Sequence, residues 1–370
     1  IRAQAICTRP SVHLLMAFSQ WQALIAAPLL GGCIGISYLF LSRPDTETFS
    51  ATTEELRKHD RIVVEGMFAM ESIIREREQS DGSDASRWLS DAAKELCLVI
   101  ITGNRKVPYI DVALSMLLRG NEPRKLHNTT EIHLVSIERR PGAVSYPHLY
   151  REIARLPYLQ IHNHSEAYSD RLGMKPGNIR LKHADFTRDF LRCLNICLVE
   201  RSEFCLVMED DTVPTWRLIE KLEAYVFPEM RKKPEIPFIS LWSPTHVPGL
   251  ERYGATALSN LRFHRYQMEV GKFRGRVNYK VKQRAYPWGT VANVFSRAGA
   301  TDFVKFMAMQ DLAQEEVLAV DDYLNGDFLA GKTRIEVQPS LINHMGFYSE
   351  RLAAVNLVAT DIRFQLEPLR

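Results

Sequence analysis

Apolar positions along the chain follow three spacings. Short runs suited to strands occur at Leu96–Thr102 (LCLVIIT), Glu131–Ile137 (EIHLVSI), Leu159–His162, Phe204–Met208 and Phe238–Trp242, with an apolar run at Val291–Phe295 and a strand-like Ile335–Val337. Helical spacing marks Val107–Arg119, Arg180–Val199 and Glu54–Arg77, the last with apolar residues at Leu56, Val63, Val64, Met67, Met70, Ile73 and Ile74. Strands alternating with helices predict an α/β fold built on a mainly parallel sheet flanked by helices. The helix over 54–77 fits either a stem or a first helix packed on the globular part. Arg262–Arg284, basic and poor in apolar runs, reads as a surface excursion. No internal repeat or low-complexity tract interrupts this order.

The third spacing is continuous. Ser11–Ser42 contains no Asp, Glu, Lys or Arg, and Ala23–Leu41 within it is almost wholly apolar, about the ~20 residues that cross a bilayer as a helix. Arg2 and Arg9 precede it, while Arg43 is soon followed by Asp45 and Glu47; this bias orients the N-terminus to the cytoplasm. A cleaved signal peptide and a buried core helix are the competing readings. The expectation is a single-pass type II protein: a short cytoplasmic tail over 1–13, an anchor over 14–41, a stem or helical segment over 42–90 and a catalytic domain over 91–370.

Charge changes little in this picture. With 47 basic and 44 acidic residues the formal net charge is +3, which gives no global argument for nucleic acid. Six cysteines, at 7, 33, 97, 193, 197 and 205, do not describe a disulfide-built scaffold. Cys97 and Cys205 fall inside strands, where buried free thiols are the default. Cys193 and Cys197 share a helix face without a matching partner set for zinc. Asn128-Thr129-Thr130 and Asn163-His164-Ser165 are N-glycosylation sequons if the chain is lumenal.

The chemistry concentrates where the Phe204–Met208 run ends in Glu209-Asp210-Asp211. Three adjacent carboxylates at a strand end repel one another unless a cation joins them, and hard oxygen donors suit Mg²⁺ or Mn²⁺; a solvated acidic turn is the alternative. Ligands of open α/β folds gather at this end of the strands. Three further features could converge there. Thr102-Gly103-Asn104-Arg105 ends the first strand, where a glycine admits a ligand to the backbone and Arg105 can pair with phosphate. Tyr286-Pro287-Trp288-Gly289-Thr290 offers an aromatic platform for a sugar, and Asp321-Asp322 a general base; a core tryptophan and a helix-capping aspartate are the plainer readings. His344, in Asn343-His344-Met345-Gly346-Phe347-Tyr348-Ser349, is either a metal or phosphate contact or a polar residue with ordinary partners.

Glu209-Asp210-Asp211 resembles the metal-binding acidic motif of glycosyltransferases with the GT-A fold. The segment from Leu181-Lys182-His183 through Asp189-Phe190 and Cys193-Leu194 to the triplet is similar to the helix and strand of N-acetylglucosaminyltransferase IV. Val337 through Ser349 looks closer still to the post-GPI-attachment N-acetylgalactosaminyltransferase family. The likeness runs over roughly residues 95–350 by order of motifs. It implies a GT-A-like (Rossmann-like) domain, a Golgi membrane location, Mn²⁺ or Mg²⁺, a UDP-GalNAc or UDP-GlcNAc donor and a mannose-containing glycan acceptor. Asp211 and His344 would contact the metal. Thr102, Arg105, Lys182, Glu209, Asp210, Trp288, Gly289 and Ser349 would line the donor, and Asp321 or Asp322 would be the base of an inverting transfer. Unlike the animal post-GPI enzyme, Pro214–Tyr286 holds no run long enough to span a membrane, so a GPI glycan and an N-glycan branch both stay open as acceptor. A phosphohydrolase would read Asp-x-Asp after the strand, and Glu209 stands in the nucleophile's place. A non-catalytic membrane-anchored glycan-binding protein on the same fold is the rival of another class.

Overall fold

Two strands read from unbroken apolar runs form the middle of the sheet. β1 (Leu96–Thr102) and β4 (Phe204–Glu209) pair in parallel, Leu96 opposite Phe204 and Ile101 opposite Glu209. The computed structural model describes residues 53–79, 94–103, 107–137, 156, 159–163, 179–242, 280–283, 291–310, 318–330, 334–338, 340–345, 348–349 and 354–355, within one compact unit, Ala51–Arg370. The anchor expected at 14–41 lies outside the described residues; among these, no helix is long and apolar enough to cross a membrane.

β2 (Thr130–Ser136) and β3 (Leu159–Asn163) continue the parallel half on the far side of β1. Beyond β4 lie β8 (Ala292–Ser296), β6 (Phe238–Ser240), β9 (Ile335–Gln338) and β7 (Lys280–Gln283), giving the order β3-β2-β1-β4-β8-β6-β9-β7. β8 is antiparallel to both β4 and β6, β6 is parallel to β9, and β7 is antiparallel to β9, so six of the eight strands share one direction and the sheet is mainly parallel, with β8 and β7 reversed. A strand buried on both faces is apolar throughout whichever way its neighbour runs, so the run at Val291–Phe295 carried no sign of direction. The basic excursion at Arg262–Arg284 also ends differently from its reading: residues 280–283 form the edge strand β7 of the described sheet, where the exposed Lys280 discourages further pairing.

Alternation along the central strands feeds two cores. Leu96, Leu98, Ile100, Phe204, Leu206 and Met208 face one side. There they meet α1 (Thr53–Gln79), α2 (Tyr109–Gly120) and a helical stretch of α5 (Leu218–Lys221), a π-helical turn (Leu222–Val226) and α6 (Phe227–Lys232). Cys97, Val99, Ile101, Cys205 and Val207 face the other, against α4 (Ile179–Glu200), α7 (Arg297–Ala308) and α8 (Val320–Asn325). A short α3 (Pro123–Thr129) leads into β2.

Helix α1 is part of the globular unit. Met70, Ile73 and Ile74 join the main core, and Ile62 and Val63 cluster with Tyr109, Val112, Val213 and Met345. At the crossing with α2, a Cβ on Gly66 would come within 2.6 Å of a Val112 methyl, so only glycine allows this approach. Of the two readings of 54–77, packing on the domain is the one realised. Cys97 and Cys197 form a disulfide from β1 to α4, with Cα atoms 5.3 Å apart, which corrects the expectation of a free Cys97. A core strand and its covering helix present facing Cβ atoms, and spacing alone cannot show which pair meets. Cys193 and Cys205 remain buried thiols; burial pushes the Cys205 thiol up to about 12.

Candidate functional site

The acidic triplet stands at the carboxyl end of β4, beside the end of β1. Glu209 is the last residue of the strand and half-buried, while Asp210 and Asp211 are buried in the turn that follows. The Asp210 N–H donates to the Ile101 carbonyl at 3.0 Å, extending the β1–β4 ladder by one step. Its carboxylate is held from the β1 side: Thr102 Oγ1 donates to Asp210 Oδ2 at 2.9 Å and the Gly103 N–H to the same oxygen at 3.3 Å. A hydroxyl and an N–H on one carboxylate oxygen fix its direction.

A second, two-stranded sheet brings His344 to Asp211. β5 (Thr212–Pro214) begins right after the triplet and pairs antiparallel with β10 (Ile342–His344), setting His344 opposite Thr212. The Met345 N–H donates to the Asp211 carbonyl at 2.7 Å, and His344 Nε2 lies 3.4 Å from Asp211 Oδ2. Thr212 Oγ1 donates to the Glu209 carbonyl, closing the turn. The Trp242 ring meets the His344 ring edge to face, centroids 5.4 Å apart. Beneath the pair, Val213 and Met345 rest on Ile62, Val63 and Tyr109, so α1 and α2 support the site.

Thr102, Asp210, Asp211 and His344 therefore lie together, with Glu209 on the strand below them. The backbone of Lys182 lies in the first turn of α4, which runs back from this end of the sheet toward the start of β4. Ser349 lies in β11 (Tyr348–Ser349), paired with β12 (Ala354–Val355). The side chains of Lys182 and Ser349, and all of Arg105, Trp288 and Gly289, lie outside the described residues. Asp321, half-buried, and Asp322, exposed, occupy the first turn of α8, which packs on α4. Gly103 and Trp242 were not singled out as contacts of the triplet and its histidine. A glycine after β1 and an aromatic residue just past β6, whose carboxyl end lies on the same side as that of β4, were the available signals.

A different cluster sits toward the amino half of the same sheet. Ligand atoms of Glu131, His133 and Glu200 lie within 4.8 Å of one another, a group able to hold a metal ion. His133, on β2, is fully buried; its Nδ1 is 3.1 Å from His162 Nε2 on β3, and its Nε2 is 3.9 Å from Glu131 Oε2. Burial, then the nearby Glu200 carboxyl, pushes Glu131 up to about 7. Burial and His162 push His133 down to about 4.

The sequence matches no family model and no curated protein sequence. Among solved structures it is similar to TarS of S. aureus (14% identity, TM-score 0.22, 35% of this chain and 19% of that one). It is similar also to mouse xyloside xylosyltransferase 1 in its apo form (13%, TM-score 0.33, 63% and 80%). A third is the mannosyltransferase PcManGT from Pyrobaculum calidifontis, in complex with GDP-Man and Mn²⁺ (12%, TM-score 0.36, 77% and 66%). The chain spans about a fifth of the first of these. Overlaps of this size transfer no residue role, so the functional reading rests on this chain's own site.

Proposed function

We propose that this protein is a membrane-anchored, metal-dependent inverting glycosyltransferase. It moves an N-acetylhexosamine, GalNAc in preference to GlcNAc, from a UDP-sugar to a mannose-containing glycan. The observation that carries the reading is the convergence of Glu209-Asp210-Asp211 with His344, two motifs far apart in sequence that the β5–β10 pair places side by side.

The donor set fits the ion. Asp211 Oδ2 and His344 Nε2 form a mixed oxygen and nitrogen pair suited to Mn²⁺ and, with waters completing the shell, to Mg²⁺. A divalent ion held there would neutralise the diphosphate as it leaves. Thr102 and the Gly103 N–H keep Asp210 turned toward β1, where it meets the ribose side of the donor, with Glu209 assisting. The acceptor hydroxyl gives its proton to Asp321 or Asp322, its oxygen bonds to the anomeric carbon, and the bond from that carbon to the diphosphate oxygen breaks. The Cys97–Cys197 disulfide supports an oxidising compartment such as the Golgi lumen, in keeping with a type II anchor over 14–41.

The test is turnover of UDP-GalNAc and UDP-GlcNAc by the purified full chain, with and without Mn²⁺, over mannose-terminated acceptors. Mn²⁺-dependent release of UDP with sugar transfer is expected. Absence of Mn²⁺-dependent turnover of any UDP-sugar overturns the proposal. Asp321→Asn and Asp322→Asn then identify the base, since one of them abolishes transfer while leaving donor binding intact; wild-type activity in both removes this pair from the mechanism.

A further inference from the structure

We infer that Glu131, His133 and Glu200 form a second divalent-metal site of the zinc class. In it His162 orients His133, and the ion fastens the end of helix α4 to the β2–β3 edge of the sheet. The site is separate from the triplet. Glu131 pairs with Cys97 near the start of β1, whereas Glu209 pairs with Ile101 near its end, four residues along the strand or about 13 Å.

Three observations point to an ion. First, the His133 ring is fully buried, and its Nε2 has no hydrogen-bond partner while facing the Glu131 carboxylate. His133 Nδ1 lies 3.1 Å from His162 Nε2, and a proton on Nδ1 donated across this contact would leave the Nε2 lone pair for an ion. A metal-binding histidine is commonly fixed in this way through its other nitrogen. Second, Glu131 Oε2 is likewise buried without a partner.

Third, Glu200 is the last residue of α4, a helix with no basic residue in its last turn. A carboxylate there opposes the negative end of the helix dipole and faces a second carboxylate as well. Arg201, in the left-handed region at φ 62°, ends the helix at this point and fixes where Glu200 projects. Lys94 acts on Glu131, but its Nζ makes no hydrogen bond and the imidazole Nε2 stays unused. A dication answers all three groups at once. Ligands bonded at ~2.0–2.1 Å lie at most ~4.2 Å apart, so side-chain adjustments of under about 1 Å would close the present spacing on an ion. Two carboxylates, one imidazole and a water make a four-coordinate set that suits Zn²⁺.

The experiment is zinc titration of the full chain, stripped with chelator, by calorimetry and by thermal melting. Wild type, Asp211→Ala, His133→Ala and Glu200→Gln are compared. Wild type and Asp211→Ala are expected to bind one equivalent of Zn²⁺ at this site and to melt several degrees higher with it. His133→Ala and Glu200→Gln should bind at least tenfold more weakly and lose that rise. Should His133→Ala fail to fold, Glu200→Gln, which alters only a half-buried helix end, decides. Equal zinc affinity in wild type and Glu200→Gln, or no zinc-dependent rise in melting temperature in Asp211→Ala, overturns the site. Neither result bears on sugar transfer at the triplet.

Discussion

The two ends of the central sheet hold similar side chains in opposite ways. At the carboxyl end, the Asp210 carboxylate takes a hydroxyl and an N–H from β1, and Asp211 is fastened through its carbonyl to Met345. These donors come from the last residue of a strand and the turns just beyond, where backbone N–H groups are not consumed by the ladder. Toward the amino half, Glu131 and His133 project from within β2, where backbone donors are spent on neighbouring strands, and Glu200 comes from a helix end that offers only carbonyls. Carboxylates among donors are pre-set and can exchange a ligand. Carboxylates without donors are costly until something positive joins them. The first arrangement suits turnover and the second suits a fixture.

Four changes test this contrast. The largest effect is expected from Asp211→Ala, which should lower Mn²⁺-dependent transfer by about 10³-fold or more, since charge stabilisation at the leaving group is a dominant contribution. Its melting temperature should stay within a few degrees of wild type, as steady-state kinetics and calorimetry will show; an unfolded variant would mean that this end is as structural as the other.

Replacing Cys97 and Cys197 together by serine should cost on the order of 2–5 kcal/mol in denaturant unfolding, because the bond closes a loop with a sequence separation of 100. This bond, like the amino-half cluster, ties α4 to the sheet, so zinc should restore part of the loss if both fasten the same helix.

Asp111 provides a carboxylate pair with no imidazole. Burial, with Glu71 nearby, pushes its carboxyl up to about 7. The unfolded group titrates near 3.8, so the folded state binds more protons between these values. Stability therefore falls as pH rises from about 4 to about 7 and stays lowered above. Asp111→Asn should remove that fall, raising stability at pH 8 by up to about 4 kcal/mol with little gain near pH 4. Zinc should leave this profile unchanged.

The smallest of the four effects is expected for Thr102→Val. Loss of the donor to Asp210 should weaken Mn²⁺ binding by about tenfold, seen by calorimetry, without altering zinc binding at the other end.

Much of the carboxyl end could be read from the chain. Five apolar residues followed by three acids specify a buried strand and a charged turn, and the glycine after β1 marks the neighbouring turn. His344 was placed beside the triplet by the resemblance alone, and the strand pair that brings it there could not be read, because β5 and β10 are three-residue strands too short to carry a period. The reversal of β8 within the mainly parallel sheet escaped because burial on both faces erases alternation. The amino-half cluster escaped for the opposite reason. Glu131 and His133 alternate with Ile132 and Leu134 as in any half-exposed strand, and only the sheet shows that the polar face is covered by α4. The partner cysteine of Cys97 was hidden between two candidates one helical turn apart.

The Cys97–Cys197 bond also makes the parallel half of the sheet a covalent ring, with β1, β2, β3 and most of α4 in its circumference. A protease that cuts once anywhere between residues 98 and 196 leaves both fragments joined, migrating as a single species until a thiol reductant is added. The strand leading to the triplet leaves that ring only seven residues after Cys197, at Phe204, so a nicked chain would keep its acidic turn tethered to the strand that supplies Thr102.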